Sequence, residues 1–145
     1  MFSIERISNV LGGPRTLKQR VRTLNDLHEI VAEGLPKTSV RALLTHLSEH
    51  YRVELQPLRD FIAPPATLKR RRTRLSPAES QRLERLARIV AMTEQVWHET
   101  TAAAEFLTHR HRTLGGKTPL QMATTDLGVR QVEELLASIE YGLPA

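Results

Sequence analysis

The chain has 145 residues, a formal charge of +5 and no cysteine, which excludes disulfides, thiol catalysis and thiolate metal sites. Hydrophobic residues make up 40% but aromatics only 4%, so a core is within reach and must be built mainly from Leu, Ile, Val and Ala. The opening MFSIERISNVLGGPR has no signal-peptide apolar core, and no run approaches the roughly 18 apolar residues of a membrane span, so the chain reads as a soluble cytoplasmic protein.

In chain order, helical periodicity dominates. Phe2, Ile4, Ile7 and Leu11 stand at near-helical spacing, which suits either a core or an interface. The strand candidate, Leu17 to Thr23, is short. Leu24, Leu27, Ile30 and Val31 share one face of a helix that stops at Gly34, ahead of Pro36. Val40, Leu43, Leu44 and Leu47 mark a second helix, and Leu55, Leu58, Phe61 and Ile62 a third. Pro64-Pro65 ends that third helix, because proline disfavours helix in the residue before it.

ATLKRRRTR follows at residues 66–74, with five basic residues in nine. Coming after a short helix and a tight turn, it fits the second helix of a helix-turn-helix. Such a helix lies in the DNA major groove, where Arg and Lys meet phosphates and guanine edges. A solvated linker between domains is the plainer alternative. The charge distribution favours the first reading: residues 1–75 hold 14 Lys/Arg against 7 Asp/Glu, and residues 76–145 hold 7 against 9.

Ser76-Pro77-Ala78-Glu79 is a helix start, with a capping Ser, Pro at the first helical position and Glu placed to return a bond. Leu83, Leu86, Ala87, Val90 and Trp97 continue its apolar stripe. A helix from Thr100 or Thr101 carries Phe106 and Leu107, and Thr118-Pro119-Leu120-Gln121 repeats the start signal for a third. The last helix carries Val129, Val132, Leu135, Leu136 and Ile139, and Gly142 and Pro144 end it. Residues 76–145 are thus expected to form a four-helix unit.

Two chemical patterns are read as coincidences. Gly116-Lys117-Thr118 resembles the end of a phosphate-binding loop, but His111 stands where that loop needs its first glycine, and no strand precedes it. His46-Leu47-Ser48-Glu49-His50 matches the HxxEH zinc pattern, yet Leu43, Leu44 and Leu47 give the segment a core role and no third ligand stands out. His109-Arg110-His111 reads as a polar loop. No catalytic residue, metal ligand or cofactor is expected.

The order SPAESQRLERLARIV, LGGKTPLQM and TTDLGVRQVEELLASIEYG resembles the Xre/MbcA/ParS-type antitoxins of bacterial toxin–antitoxin pairs. GLP at 34–36 and ATLKRRR before LSPAES extend the resemblance more loosely into the first half. There are departures: Arg110-His111 stands where many members have Pro-Asn, and Phe106-Leu107 where many have Trp-Leu.

The resemblance implies an all-α chain, with a helix-turn-helix DNA-binding and dimerisation domain over residues 1–75 and a toxin-binding domain over 76–145. It implies a RES-domain toxin acting on NAD as partner, blocked at its active-site entrance by the antitoxin's C-terminal segment. It also implies repression of the chain's own operon, with operator DNA bound as a homodimer. The toxin-facing residues would be Lys117, Glu140, Tyr141, Gly142, Leu143, Pro144 and Ala145. The DNA-facing residues would be Thr67, Lys69, Arg70, Arg71 and Arg72. Tyr141 and Leu143 also stand out without the family, as apolar groups with little chain left to cover them; they either face a partner or fold back onto their own helix as a cap contact. A stand-alone helix-turn-helix regulator with a C-terminal dimerisation domain is the alternative reading.

Overall fold

The computed structural model describes residues 3–142, which are all-α, with no strand among them. The helices are α1 (Ile4–Val10), α2 (Gly13–Leu17), α3 (Leu24–Glu33), α4 (Thr38–His50), α5 (Leu55–Ile62), α6 (Pro65–Arg70), α7 (Pro77–Val96), α8 (Thr100–Thr108) and α9 (Asp126–Glu140). Two 3-10 segments, Arg112–Leu114 and Leu120–Thr124, connect α8 to α9.

The strand expected at Leu17 to Thr23 does not form. Gly13-Pro14 starts the short α2, Lys18 turns left-handed at φ 61°, and the chain then runs into the cap of α3. That cap is reciprocal: Thr23 Oγ1 accepts from the Asp26 amide at 3.0 Å, and Asp26 Oδ2 accepts from the Thr23 amide at 3.1 Å. Leu24, expected on the buried face, is the first residue of this helix and is 64% exposed. Leu27 and Ile30 are buried as the periodicity requires.

The core is continuous, and α7 is its axis. Leu83, Leu86, Ala87, Ile89 and Val90 are fully buried, and α7 packs against α1, α3 and α5 as well as α8 and α9. Burying each such Leu, Ile or Val side chain contributes about 1.5–3 kcal/mol. Ile7 and Leu11 are fully buried in the same core, so the near-helical pattern at the start of the chain is a core pattern at those two positions; Phe2 lies outside the described residues.

Three arginines on successive turns of α7 tie down other elements. Arg82 Nε donates to the Ile62 carbonyl at the end of α5 (2.9 Å). Arg85 Nε donates to the Ala123 carbonyl of the second 3-10 segment (2.7 Å). Arg88 bridges Glu84 (2.9 Å) and Asp126 at the start of α9 (2.7 Å). Arg82 and Arg85 satisfy carbonyls at the ends of other elements, and Arg88 pairs with two carboxylates.

A short antiparallel contact joins the α3–α4 corner to the segment before α7: Leu75 N donates to Leu35 O (2.9 Å), and Lys37 N donates to Thr73 O (2.8 Å). Gly34 makes the crossing possible. Its φ is 109°, and a Cβ there would lie 2.3 Å from the Leu75 carbonyl oxygen.

The third helix expected in the C-terminal half is a 3-10 segment. Its start has the reciprocal bonds that the spacing predicts: Thr118 Oγ1 accepts from Gln121 N (3.2 Å) and Gln121 Oε1 accepts from Thr118 N (2.9 Å). It cannot lengthen, because Thr125 already caps α9 by accepting from Gly128 N at 3.0 Å. In α9, Val129, Val132 and Leu136 are buried, whereas Ile139, expected on the same stripe, is 38% exposed. No described helix is long and apolar enough to cross a membrane.

Candidate functional site

The cationic segment follows α5 after a turn at Ala63-Pro64. Pro64 and Pro65 start α6 with the φ that the first helical turn needs. Leu68 is buried and anchors the helix, which leaves Lys69 and Arg70 exposed and Thr67 half-buried. Arg70 Nη2 reaches Thr67 Oγ1 at 3.4 Å. The helix ends at Arg70, so Arg71 lies on extended chain beyond it and Arg72 in the bend that follows.

Arg71 differs from its neighbours. Its guanidinium grips Glu79 with two bonds, Nε to Oε1 at 3.0 Å and Nη2 to Oε2 at 2.9 Å. Glu79 is buried and also accepts from Ser76 N at 2.8 Å, while Ser76 Oγ accepts from Glu79 N at 3.2 Å. The Arg71 bonds, then the Ser76 cap bonds, hold the Glu79 carboxyl below its usual range against the opposing effect of burial. One carboxylate therefore both starts α7 and fixes the end of the cationic segment. The capping role was legible; the ion pair was not, because it forms across a bend with no helical spacing. Arg72 is exposed.

The second candidate is the loop between α8 and α9. His111 N donates to Lys117 O (3.1 Å), Gly116 N to His111 O (2.9 Å) and Lys117 N to Leu114 O (3.3 Å). Gly115 and Gly116 adopt φ of 67° and 78° to close it. These amides are spent on the loop's own carbonyls, whereas a phosphate cradle points them at the ligand. Lys117 is exposed and lines an open cleft of about 940 Å³ together with Arg110, Arg52 before α5 and Phe61 on α5.

At the end of α9, Tyr141 N donates to Ala137 O (3.0 Å) and Gly142 turns left-handed at φ 67°. The Tyr141 side chain is 67% exposed, and Glu140 and Gly142 are exposed beside it. Leu143, Pro144 and Ala145 lie outside the described residues. Among the described residues, no hydrogen bond or ion pair joins Lys117 to Glu140, Tyr141 or Gly142.

The HxxEH residues have structural partners. His46 Nε2 lies 2.6 Å from Glu94 Oε2 on α7, the Tyr51 hydroxyl donates to the same oxygen, and His50 Nδ1 lies 2.9 Å from the His46 carbonyl. Burial pushes the Glu94 carboxyl up, but the bonds from His46 and Tyr51 outweigh it and hold it below its usual value. His111 Nε2 contacts the Phe106 carbonyl (3.0 Å), and the two rings lie 4.7 Å apart.

A cationic helix after a proline turn, packed in one core with a long helix and the C-terminal helices, fits a helix-turn-helix protein. Comparison with known families agrees: the Antitoxin Xre-like helix-turn-helix domain matches residues 26–88, and the Antitoxin Xre/MbcA/ParS C-terminal toxin-binding domain matches residues 92–142. The chain is 40% identical over 121 residues to Antitoxin Xre of Pseudomonas putida, an overlap of 81% of this chain and 72% of that protein. It belongs to the Xre/MbcA/ParS family of antitoxins, with a helix-turn-helix and a toxin-binding domain. This is a family of antitoxins and helix-turn-helix regulators, not a known enzyme family.

Proposed function

We propose that this chain neutralises a RES-domain, NAD-consuming toxin by seating its C-terminal segment in the toxin's active-site entrance. Residues 76–145 carry that task, through Lys117 and the segment from Glu140 to Ala145. Residues 1–75 bind operator DNA as a homodimer and repress the chain's own operon, with Thr67, Lys69, Arg70 and Arg72 toward the DNA. Arg71 keeps these side chains in place through Glu79. The chain acts in the cytoplasm, by occlusion and without catalysis or a cofactor.

The observation that carries this reading is the exposed Tyr141 at the end of α9, next to the partly exposed Ile139. An exposed aromatic at a polar rim is what a protein interface recruits. The test is to express the chain with its tagged neighbouring reading frame, with and without residues 141–145, while following cellular NAD. A complex whose protection is lost with the tail, with NAD falling, supports occlusion. A complex that protects equally well without the tail sinks it.

A further inference from the structure

We propose that the groove between α4, α5 and α6 is a second DNA contact, a seat for the sugar–phosphate backbone beside the cationic helix. It rests on the helix-turn-helix reading above and adds the residues that would fix register on the duplex. The groove is open and has a volume of about 470 Å³. Its floor is Leu44, Leu55 and Leu68, one from each helix, and its charged lining residues are Lys37, Arg41 and Arg59.

None of the seven carboxylates in residues 1–75 lines this groove. That separates it from the cleft beside Lys117, where Glu54 joins the cations. Arg41 and Arg59 are exposed, and among the described residues neither guanidinium has an ion-pair or hydrogen-bond partner. Three cations line one groove that no carboxylate lines, an arrangement that suits a polyanion partner. Duplex DNA offers one negative charge per roughly 1.7 Å of axis.

Position supports the same partner. In a helix-turn-helix the first helix crosses the backbone while the second lies in the major groove. Arg59 is on the first, α5. Lys37 is fixed at the end of the second, where its Nζ donates to the Arg71 carbonyl at 3.2 Å. Arg41 stands one turn along α4 from Lys37. Backbone contacts of this kind set orientation and carry no base information.

The test is binding of the full chain to two labelled duplexes, one from upstream of its own reading frame and one scrambled, between 50 and 200 mM salt. The variants are the double change Arg41→Gln with Arg59→Gln, each single change, and Arg41→Lys with Arg59→Lys. Expected is an equal loss of affinity on both duplexes, with the log–log salt slope reduced by roughly 0.9 for each contact removed. The Lys variant should keep the slope. If the double variant fails to fold, the singles read the same shift one contact at a time.

An unchanged slope in folded Gln variants, with Arg70→Ala and Arg72→Ala still weakening binding, overturns the groove and spares the helix-turn-helix. A loss confined to the upstream duplex overturns the backbone role in favour of base reading. A wild-type chain that binds neither duplex overturns the groove and the DNA reading together.

Discussion

Arg71 and Glu79 close a two-bond fork across the bend between α6 and α7, and the same carboxylate holds the first amide of the α7 cap. The cationic run is therefore not uniform. Arg71→Ala should lower the melting temperature, because it leaves a buried carboxylate without its main partner. Glu79 is depressed below its ordinary value of 4.5, so its contribution is present above that pH and lost as pH falls through the folded value. The gap in melting temperature between variant and wild type should shrink in that acid range. Ser76→Ala, which removes the reciprocal cap, should cost about 1 kcal/mol.

Arg70 and Arg72 are the residues whose loss should be read in DNA binding. Arg70→Ala with Arg72→Ala should keep the wild-type melting temperature while weakening operator binding, and each phosphate contact removed should lower the salt slope by roughly 0.9. A slope equal to wild type would remove both from the DNA face.

Glu94 links α4 to α7 through His46 and Tyr51. Its carboxyl is also held below 4.5, so the stability it supplies is present above that pH and fades below it. Glu94→Gln should destabilise at neutral pH by about 1.5 kcal/mol, the range of a charged hydrogen bond. Chemical denaturation from pH 7 down to pH 3 checks this: the two stability curves should converge at the acid end, and parallel curves would refute the assignment.

Gly128 is required by contact. A Cβ there would lie 2.2 Å from the Met122 carbonyl oxygen, in the 3-10 segment that packs on α9. Gly128→Ala should cost about 1–3 kcal/mol through overpacking, although alanine is the better helix former. Gly115→Ala meets no atom within 4 Å and is strained only through its φ of 67°. Urea unfolding of the two variants should rank Gly128 as the worse.

Tyr141→Ala should leave folding stability unchanged, since the ring is 67% exposed. If the ring anchors the toxin, its loss should weaken binding by about 2 kcal/mol, roughly thirtyfold. Calorimetry with an inactive toxin variant measures this, and equal affinity would return Tyr141 to the role of a helix end.

The legible parts of the chain were those written in local spacing. Ser76 with Glu79 and Thr118 with Gln121 form the caps their spacing announces. Leu43, Leu44 and Leu47 are buried as their periodicity requires. Periodicity failed at helix ends: Leu24 and Ile139 keep the right phase, but each stands where neighbouring elements no longer cover it. The start signal at Thr118 opens a 3-10 segment rather than an α-helix, because the competing cap at Thr125 decides its length. The groove with Lys37, Arg41 and Arg59 left no local trace, since its charges come from separate helices or their ends. The arginines at 82, 85 and 88 have helical spacing, but their partners are backbone or side-chain groups 20 to 38 residues away or on the same helix.

The two family matches meet inside α7, between residues 88 and 92, and that helix is 20 residues long, about 30 Å. A chimera joined there would set the α9 of one relative against an α7 whose first half was fitted to another. Arg85 would face a foreign 3-10 segment and Arg88 a foreign first turn. Exchanging toxin specificity between relatives therefore requires moving a surface of α7 along with the C-terminal residues. The packing of the C-terminal elements is thus written partly in residues of the helix that precedes them.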